Sequence, residues 1–294
     1  MKILICDPVE SEVVEILRKK LIVEEGRPPE GTDADALIVR SRTRVTRQII
    51  ESARNLRVIG RQGVGLDNID LDAAKEHGIA VLNTPEALTE SVAELALALI
   101  FSLARDIPRA DRGMKEGIWL KGKLRQHELS GKTLGIFGLG KIGMRVAELC
   151  SNIGMPIIYW SRTRKPEVEQ RHRISYVTFD DLFRKVDVLS IHVAFTPGTE
   201  RIITSRELSL MKPTAYLVNT SRGAVIDEEA LYTALKEGKL AGAALDVFVK
   251  EPYMGKLAEL SNAILTPHIG SDTREARLRS GLSLAEKIME HLRV

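Results

Sequence analysis

Short apolar runs recur along the chain, each followed by a stretch in which apolar side chains return every three or four positions. Lys2 to Cys6 is the first such run, closing on Asp7-Pro8, and Glu12 to Lys20 has the helical spacing after it. Leu37 to Val39, Leu56 to Ile59 and Ile79 to Leu82 repeat the run, with helical patterns at Thr46 to Ala53 and between Asp70, a capping residue, and Gly78. Continuous apolar runs bounded by turn residues and alternating with helices are what strands buried on both faces require, so a parallel α/β unit is expected here. Its short connections leave little room for another element.

The pattern changes after Asn83-Thr84-Pro85. Ser91-x-x-Glu94 reads as a capping box opening a long apolar helix, with Val92, Leu95, Ala96, Leu99, Ile100 and Leu103 on one face. Arg105 to Ser130 is polar, with Gly113, Gly117 and Gly122, and reads as helix plus loop. From Gly131 a second series follows, with strands at Thr133 to Phe137, Ile157 to Trp160, Val188 to His192, Ala215 to Asn219, Ala243 to Asp246 and Ile264 to Thr266. Arg274 to Leu292 is a charged amphipathic helix expected to pack back on the first unit.

Gly131 to Arg164 gives the second series its chemistry. Gly138, Gly140 and Gly143 lie between an apolar strand and a helix, which is the context a dinucleotide-binding G-x-G-x-x-G needs. Gly138 permits the tight turn, Gly140 admits a pyrophosphate to backbone amides, and Gly143 lets helix and strand approach. The fold class is therefore α/β, with two doubly wound parallel-sheet domains. A Rossmann dinucleotide-binding domain, 85–269, is inserted in a flavodoxin-like substrate domain, 1–84 with 270–294. Where NAD binders place an acid for the ribose hydroxyls stands Ser161, followed by Arg162 and Arg164. A hydroxyl beside guanidinium groups can hold a 2′-phosphate, so the cofactor is NAD or NADP with the balance toward NADP.

Composition narrows the partners. A net charge of +3, with no basic run interleaved with aromatics, excludes nucleic acid and leaves a small anion as the target of any basic patch. Cys6 and Cys150 lie in apolar segments without metal-like spacing and read as buried thiols of a cytoplasmic protein, so no metal is expected. The N-terminus is too soon charged for a signal peptide. The longest uncharged apolar run, Leu95 to Ala104, has ten residues, short of a bilayer.

In open parallel sheets, ligands bind beyond the carboxyl ends of the strands. There the second series carries Asn219-Thr220-Ser221-Arg222-Gly223, then Asp246 through Glu251-Pro252, then Thr266-Pro267-His268-Ile269-Gly270. Arg222 suits the grip on a substrate carboxylate, and His268 suits proton transfer, with Glu251 orienting the ring and favouring its charged form. His192 ends a strand and reads as cofactor-lining, while His77, His127, His172 and His291 have no comparable setting.

These residues carry a resemblance across nearly the whole chain. Gly-Leu-Gly-Lys-Ile-Gly, Asn-Thr-Ser-Arg-Gly-Ala-Val-Ile-Asp-Glu, Leu-Asp-Val-Phe-x-x-Glu-Pro and Thr-Pro-His-Ile-Gly stand in the order found in the D-isomer-specific 2-hydroxyacid dehydrogenase family, which the chain resembles. The resemblance implies that Arg222, Glu251 and His268 are catalytic and that Asp246 contacts the nicotinamide carboxamide. It also implies that Lys141, Ile142, Ser161, His192, Thr220 and Ser221 line the dinucleotide, with Val193, Thr196 and Gly270 in the same set. The family's His-Val-Pro-Leu-Thr-Pro is here His192-Val193-Ala194-Phe195-Thr196-Pro197, a departure at two positions. Arg40-Ser41-Arg42 and Gly63-Val64-Gly65 are similar to the substrate loops of D-3-phosphoglycerate dehydrogenases, where arginines and backbone amides serve a carboxylate and a phosphate. Ser161 to Lys165 instead resembles glyoxylate or hydroxypyruvate reductases.

The expected reaction is oxidation of 3-phospho-D-glycerate to 3-phosphohydroxypyruvate, the opening step of serine synthesis. Reduction of glyoxylate or hydroxypyruvate is the alternative enzyme reading, and a dinucleotide-sensing corepressor-like binding protein is the alternative of another class. Family pairing implies a homodimer through the dinucleotide-binding domain, with Lys121, Lys123 and Arg125 reaching the partner's site. With the chain ending at Val294, no serine-binding regulatory domain is expected.

Overall fold

In the computed structural model, which describes residues 1–294, the apolar runs become two parallel sheets, one in each of two units. One unit is Met1–Ser91 with Ser271–Val294, and the other is Val92–Gly270.

The first unit runs β1 (Lys2–Ile5), α1 (Ser11–Arg18), β2 (Ile22–Glu25), β3 (Ala36–Val39), α2 (Arg47–Ser52), β4 (Val58–Arg61), α3 (Leu71–Glu76) and β5 (Ala80–Asn83). All pairings are parallel in the order β2-β1-β3-β4-β5, the flavodoxin-like order. β2 overturns the expectation that nothing fits between the first helix and Leu37. It is an edge strand of sequence Ile-Val-Glu-Glu with Ile22 63% exposed, so it lacks the apolar run by which buried strands announce themselves. Asp70 does cap α3, its side chain accepting from Ala73 N–H at 2.8 Å. The C-terminal helix, Arg274–Leu292, supplies Leu284, Ala285, Ile288 and Leu292 to the same core as Ile3, Val13, Leu17 and Ile38.

The second unit holds most of α4 (Thr89–Arg105), then α5 (Ile107–Lys115), β6 (Leu134–Phe137), α6 (Lys141–Asn152), β7 (Ile157–Trp160), α7 (Pro166–His172) and β8 (Ser175–Tyr176). After these come α8 (Phe179–Lys185), β9 (Val188–Ile191), α9 (Ser205–Leu210), β10 (Tyr216–Asn219), α10 (Glu228–Lys236), β11 (Gly242–Leu245) and β12 (Ala263–Leu265); the C-terminal helix of the first unit is α11. The sheet has seven parallel strands, β12-β11-β10-β9-β6-β7-β8, rather than six. β8 escapes a search for apolar runs because only two residues pair with β7.

Ser91 is not a cap. A 3-10 turn at Glu86–Leu88 feeds straight into α4 at Thr89, leaving Ser91 inside the helix, where its buried Oγ accepts from Thr273 Oγ1 at 3.2 Å. The stretch Glu86–Arg105 has 20 residues, and an 18-residue window within it has a mean hydropathy of 1.7, long and apolar enough by length and composition to cross a membrane. Here Ala93, Ala96, Leu99, Ile100 and Leu103 are buried in the unit's core with Leu134, Ile136 and Val146. A domain core asks the same apolarity of a central helix.

Candidate active site

The turn from β6 into α6 has the shape its glycines suggest. Gly138 sits at φ +101°, and a Cβ there would lie 2.8 Å from the His192 carbonyl and from Val193 Cγ1. A Cβ on Gly143 would meet Gly138 O at 2.2 Å, so any side chain would push α6 off the strand. A Cβ on Gly140 would meet nothing within 4 Å, which leaves its backbone open to a ligand at the N-terminus of a twelve-residue helix. The first N–H groups of a helix have no intrahelical partner and suit an anion. Lys141 is exposed and Ile142 half-buried against the core.

Beyond β9, His192 Nε2 pairs with the buried Ser190 Oγ at 2.8 Å, and loss of solvation pushes the imidazole down to about 3, so it stays neutral. Thr196 opens an exposed turn closed by Thr199, whose Oγ1 accepts from Thr196 N–H at 2.8 Å. Thr220 Oγ1, just past β10, is a buried hydroxyl without a hydrogen-bond partner. The glycine cradle and this orphaned hydroxyl fit a bound dinucleotide.

The residues after β7 depart from the simple basic turn. Ser161 Oγ donates to Thr163 O at 2.6 Å. Arg164 is taken by Glu169 through two bonds of 2.9 and 2.8 Å, so the two arginines are not equivalent. Arg162 is exposed and makes no hydrogen bond or ion pair.

Three loops at the carboxyl ends of β10, β11 and β12 hold Arg222, Glu251 and His268. Asn219, 1% exposed, organises the first: its Oδ1 accepts from Ser221 N–H and Oγ at 3.0 and 2.8 Å, and its Nδ2 donates to Arg222 O at 2.9 Å. The Arg222 Nη1 donates to Ser221 O at 2.8 Å. A Cβ on the next residue, Gly223, would stand 2.0 Å from the Phe248 carbonyl carbon, so the β10 and β11 loops touch through backbone alone. Phe248 N–H donates to Glu251 Oε1 at 3.1 Å, and Glu251 Oε2 meets His268 Nδ1 at 2.8 Å. Contact thus runs from the arginine's loop through the carboxylate to the imidazole. The pair is partly open, the His268 side chain 41% and Glu251 38% exposed, which leaves the ring's Nε2 accessible to a small molecule.

Asp246 does more for this loop than its sequence position implies. Its buried carboxylate accepts from Thr266 Oγ1 at 2.6 Å, Ile269 N–H at 2.8 Å and Gly270 N–H at 2.8 Å. Those donors flank His268, which is held at φ +56°. Burial pushes the Asp246 carboxyl above the usual carboxylate range, against the lowering effect of these bonds and of His268. In Asp246→Asn one N–H donor faces an amide NH2 instead of an oxygen. Because a misplaced group loses rate steeply, kcat should fall by about 10- to 100-fold. An unchanged kcat in a variant with normal thermal unfolding would contradict that role.

The expected substrate loops are only partly free. Arg40 is engaged: Nη2 donates to Asp272 at 3.3 Å, Nη1 to Pro8 O at 3.4 Å, and its N–H to Asp7 at 2.5 Å. Gly63 N–H is committed to Thr84 Oγ1 at 3.2 Å, and Thr84 in turn bonds Ser280 at 2.5 Å. Ser41 and Arg42 are exposed, and Arg42 has no partner. The N–H groups of Val64 and Gly65 take no partner within the chain. Sequence reading missed the scaffold of this loop. Buried Asp7 also accepts from Thr43 N–H and Oγ1, while Asn68 Nδ2 donates to Arg40 O and Thr43 O at 2.8 and 2.6 Å. The only signal in the sequence was a carboxylate directly after a buried strand.

Comparison with known proteins accords with this geometry. Residues 97–270 match the family model described as D-isomer specific 2-hydroxyacid dehydrogenase, NAD binding domain. A D-3-phosphoglycerate dehydrogenase of Methanocaldococcus jannaschii is 44% identical over 100% of this chain, which spans 58% of that relative's length. A hydroxypyruvate reductase of Thermotoga maritima is 45% identical over 97% of this chain and 96% of its own. The crystal structure of a glyoxylate reductase from Paecilomyes thermophila superposes with a TM-score of 0.90 at 33% identity, covering 98% of this chain and 94% of that one.

Proposed function

The chain belongs to the D-isomer-specific 2-hydroxyacid dehydrogenase family, and from that premise we propose that it oxidises a D-2-hydroxy acid, with 3-phospho-D-glycerate the favoured one and NADP accepted alongside NAD. The observation that carries the reading is the 2.8 Å contact of His268 with Glu251, joined by backbone contacts to the loop of Arg222. A bound nicotinamide supplies the hydride chemistry. His268 Nε2 takes the hydroxyl proton as the ketone forms, and returns it in the reverse direction. Glu251 fixes the orientation of the ring through Nδ1, while the guanidinium of Arg222 grips the carboxylate.

The uncommitted Arg42, with the Val64 and Gly65 amides, supports an acid carrying a second anionic group. A second reading, a glyoxylate or hydroxypyruvate reductase, is favoured by one observation: Arg40 is already bound to Asp272. Initial rates with 3-phosphoglycerate, glyoxylate and hydroxypyruvate, each with both cofactors, separate the two. The phosphorylated acid should exceed the others in kcat/KM by about tenfold or more, the scale of one added charge-assisted contact. A higher kcat/KM for glyoxylate or hydroxypyruvate overturns that choice. Dinucleotide binding without turnover of any such acid would mark a sensing protein instead.

A further inference from the structure

The loop after β7 carries three cations, Arg162, Arg164 and Lys165, yet the structure treats each differently. Lys165 Nζ reaches back to Leu139 O in the glycine turn at 2.6 Å, where it braces the cradle. Arg164 is held in a fork by Glu169, and its guanidinium carbon lies 5.6 Å from the centre of the Tyr176 ring. Glu169 is itself anchored: its side chain is only 13% exposed, and its Oε1 accepts from the OH of the fully buried Tyr159 at 2.8 Å. The same phenol oxygen accepts from Lys165 N–H at 2.8 Å, so Tyr159 fixes both the carboxylate and the loop that bears the arginines. Arg162 alone remains uncommitted.

We propose that Glu169 sets the cofactor preference by withholding Arg164, leaving Arg162 as the sole cation for a 2′-phosphate. This rests on the dinucleotide-binding reading above and deepens it. The neutral Ser161 at the end of β7 does not repel a 2′-phosphate as a carboxylate would, and it offers no carboxylate to the ribose hydroxyls of NAD. Glu169 then acts as a brake. It binds the loop's second guanidinium, whose planar fork could otherwise join Arg162 on the phosphate, and holds the chain between the two cofactors.

Titration calorimetry of the intact chain with NADP and with NAD, without any acid, tests this directly. Arg162→Gln should weaken NADP by about tenfold or more and leave NAD nearly unchanged, as expected for loss of a phosphate-facing guanidinium. Arg164→Gln should leave the NADP to NAD ratio of Kd where it is. Glu169→Gln, which keeps a hydrogen bond for Tyr159, should tighten NADP relative to NAD by about threefold, the scale of one exposed charge pair. In the double variant Glu169→Gln with Arg164→Gln that gain should vanish. The proposal is overturned if Arg164→Gln weakens NADP as much as Arg162→Gln does, or if Glu169→Gln leaves the ratio unchanged. Should Glu169→Gln not fold, the two arginine variants still decide between the alternatives. Binding of neither dinucleotide to the wild type would overturn the functional reading and this proposal with it, whereas binding with an unaltered ratio across the variants removes this proposal alone.

Discussion

Replacing His268 by Asn lowers kcat by about 10²- to 10⁴-fold, the usual contribution of a positioned acid–base group, while dinucleotide affinity is unchanged. The choice of Asn isolates the chemistry. His268 occupies the left-handed region at φ +56°, which Asn tolerates better than most residues, so the backbone between Thr266 and Gly270 keeps its course. The three hydrogen bonds to Asp246 come from Thr266, Ile269 and Gly270 and do not involve the imidazole. What is lost is a ring that can carry a proton, together with its contact to Glu251. A kcat within a few-fold of the wild type, in a protein that binds the dinucleotide normally, would remove His268 from the mechanism.

The second large effect is at Arg222. Arg222→Lys keeps the charge but not the fork of donors, and kcat/KM for the acid should fall by about 10²- to 10³-fold, the scale of losing one preorganised donor at a reacting group. The backbone there is extended, with φ −146°, and any residue adopts it without strain. Asn219 holds the loop by bonds to the Ser221 side chain and to backbone atoms, none of which the substitution touches. The dinucleotide should therefore bind as before, and the loss should appear in turnover of the acid. Retention of kcat/KM by the lysine variant would show that no bidentate grip on a carboxylate is made at this position.

The candidate loops were legible because the residues proposed to react follow short apolar strands, buried in β10 and β11 and half-buried in β12, and such runs are the clearest signal in a parallel sheet. β6, β7, β9, β10, β11 and β12 were all visible in this way. The two missed strands, β2 and β8, are edges: one is half glutamate and the other two residues long, so neither carries the apolar run the reading depends on. Ser91 misled for a related reason. A capping box is a local pattern, and here a 3-10 turn had already begun the helix.

The candidate binding loops were legible as residue types but not as partners. Nothing near Arg40 in sequence shows that it is bound to Asp272, 232 residues away, and nothing near Gly63 shows that its amide is taken by Thr84. By contrast Arg164 and Glu169 are five residues apart, yet their bidentate contact depends on the tyrosine of β7 that anchors the glutamate. Roles that follow from position along one strand can be read from a sequence; roles set by which oxygen meets which guanidinium cannot.

The central claim, that Arg222, Glu251 and His268 act together on a D-2-hydroxy acid, is tested most directly by stereochemistry. Reduced nicotinamide should accumulate when the wild-type protein and oxidised cofactor are given the D-enantiomer of the acid, and not when they are given the L-enantiomer. Equal rates with the two enantiomers, or faster reduction with the L-form, would contradict the account.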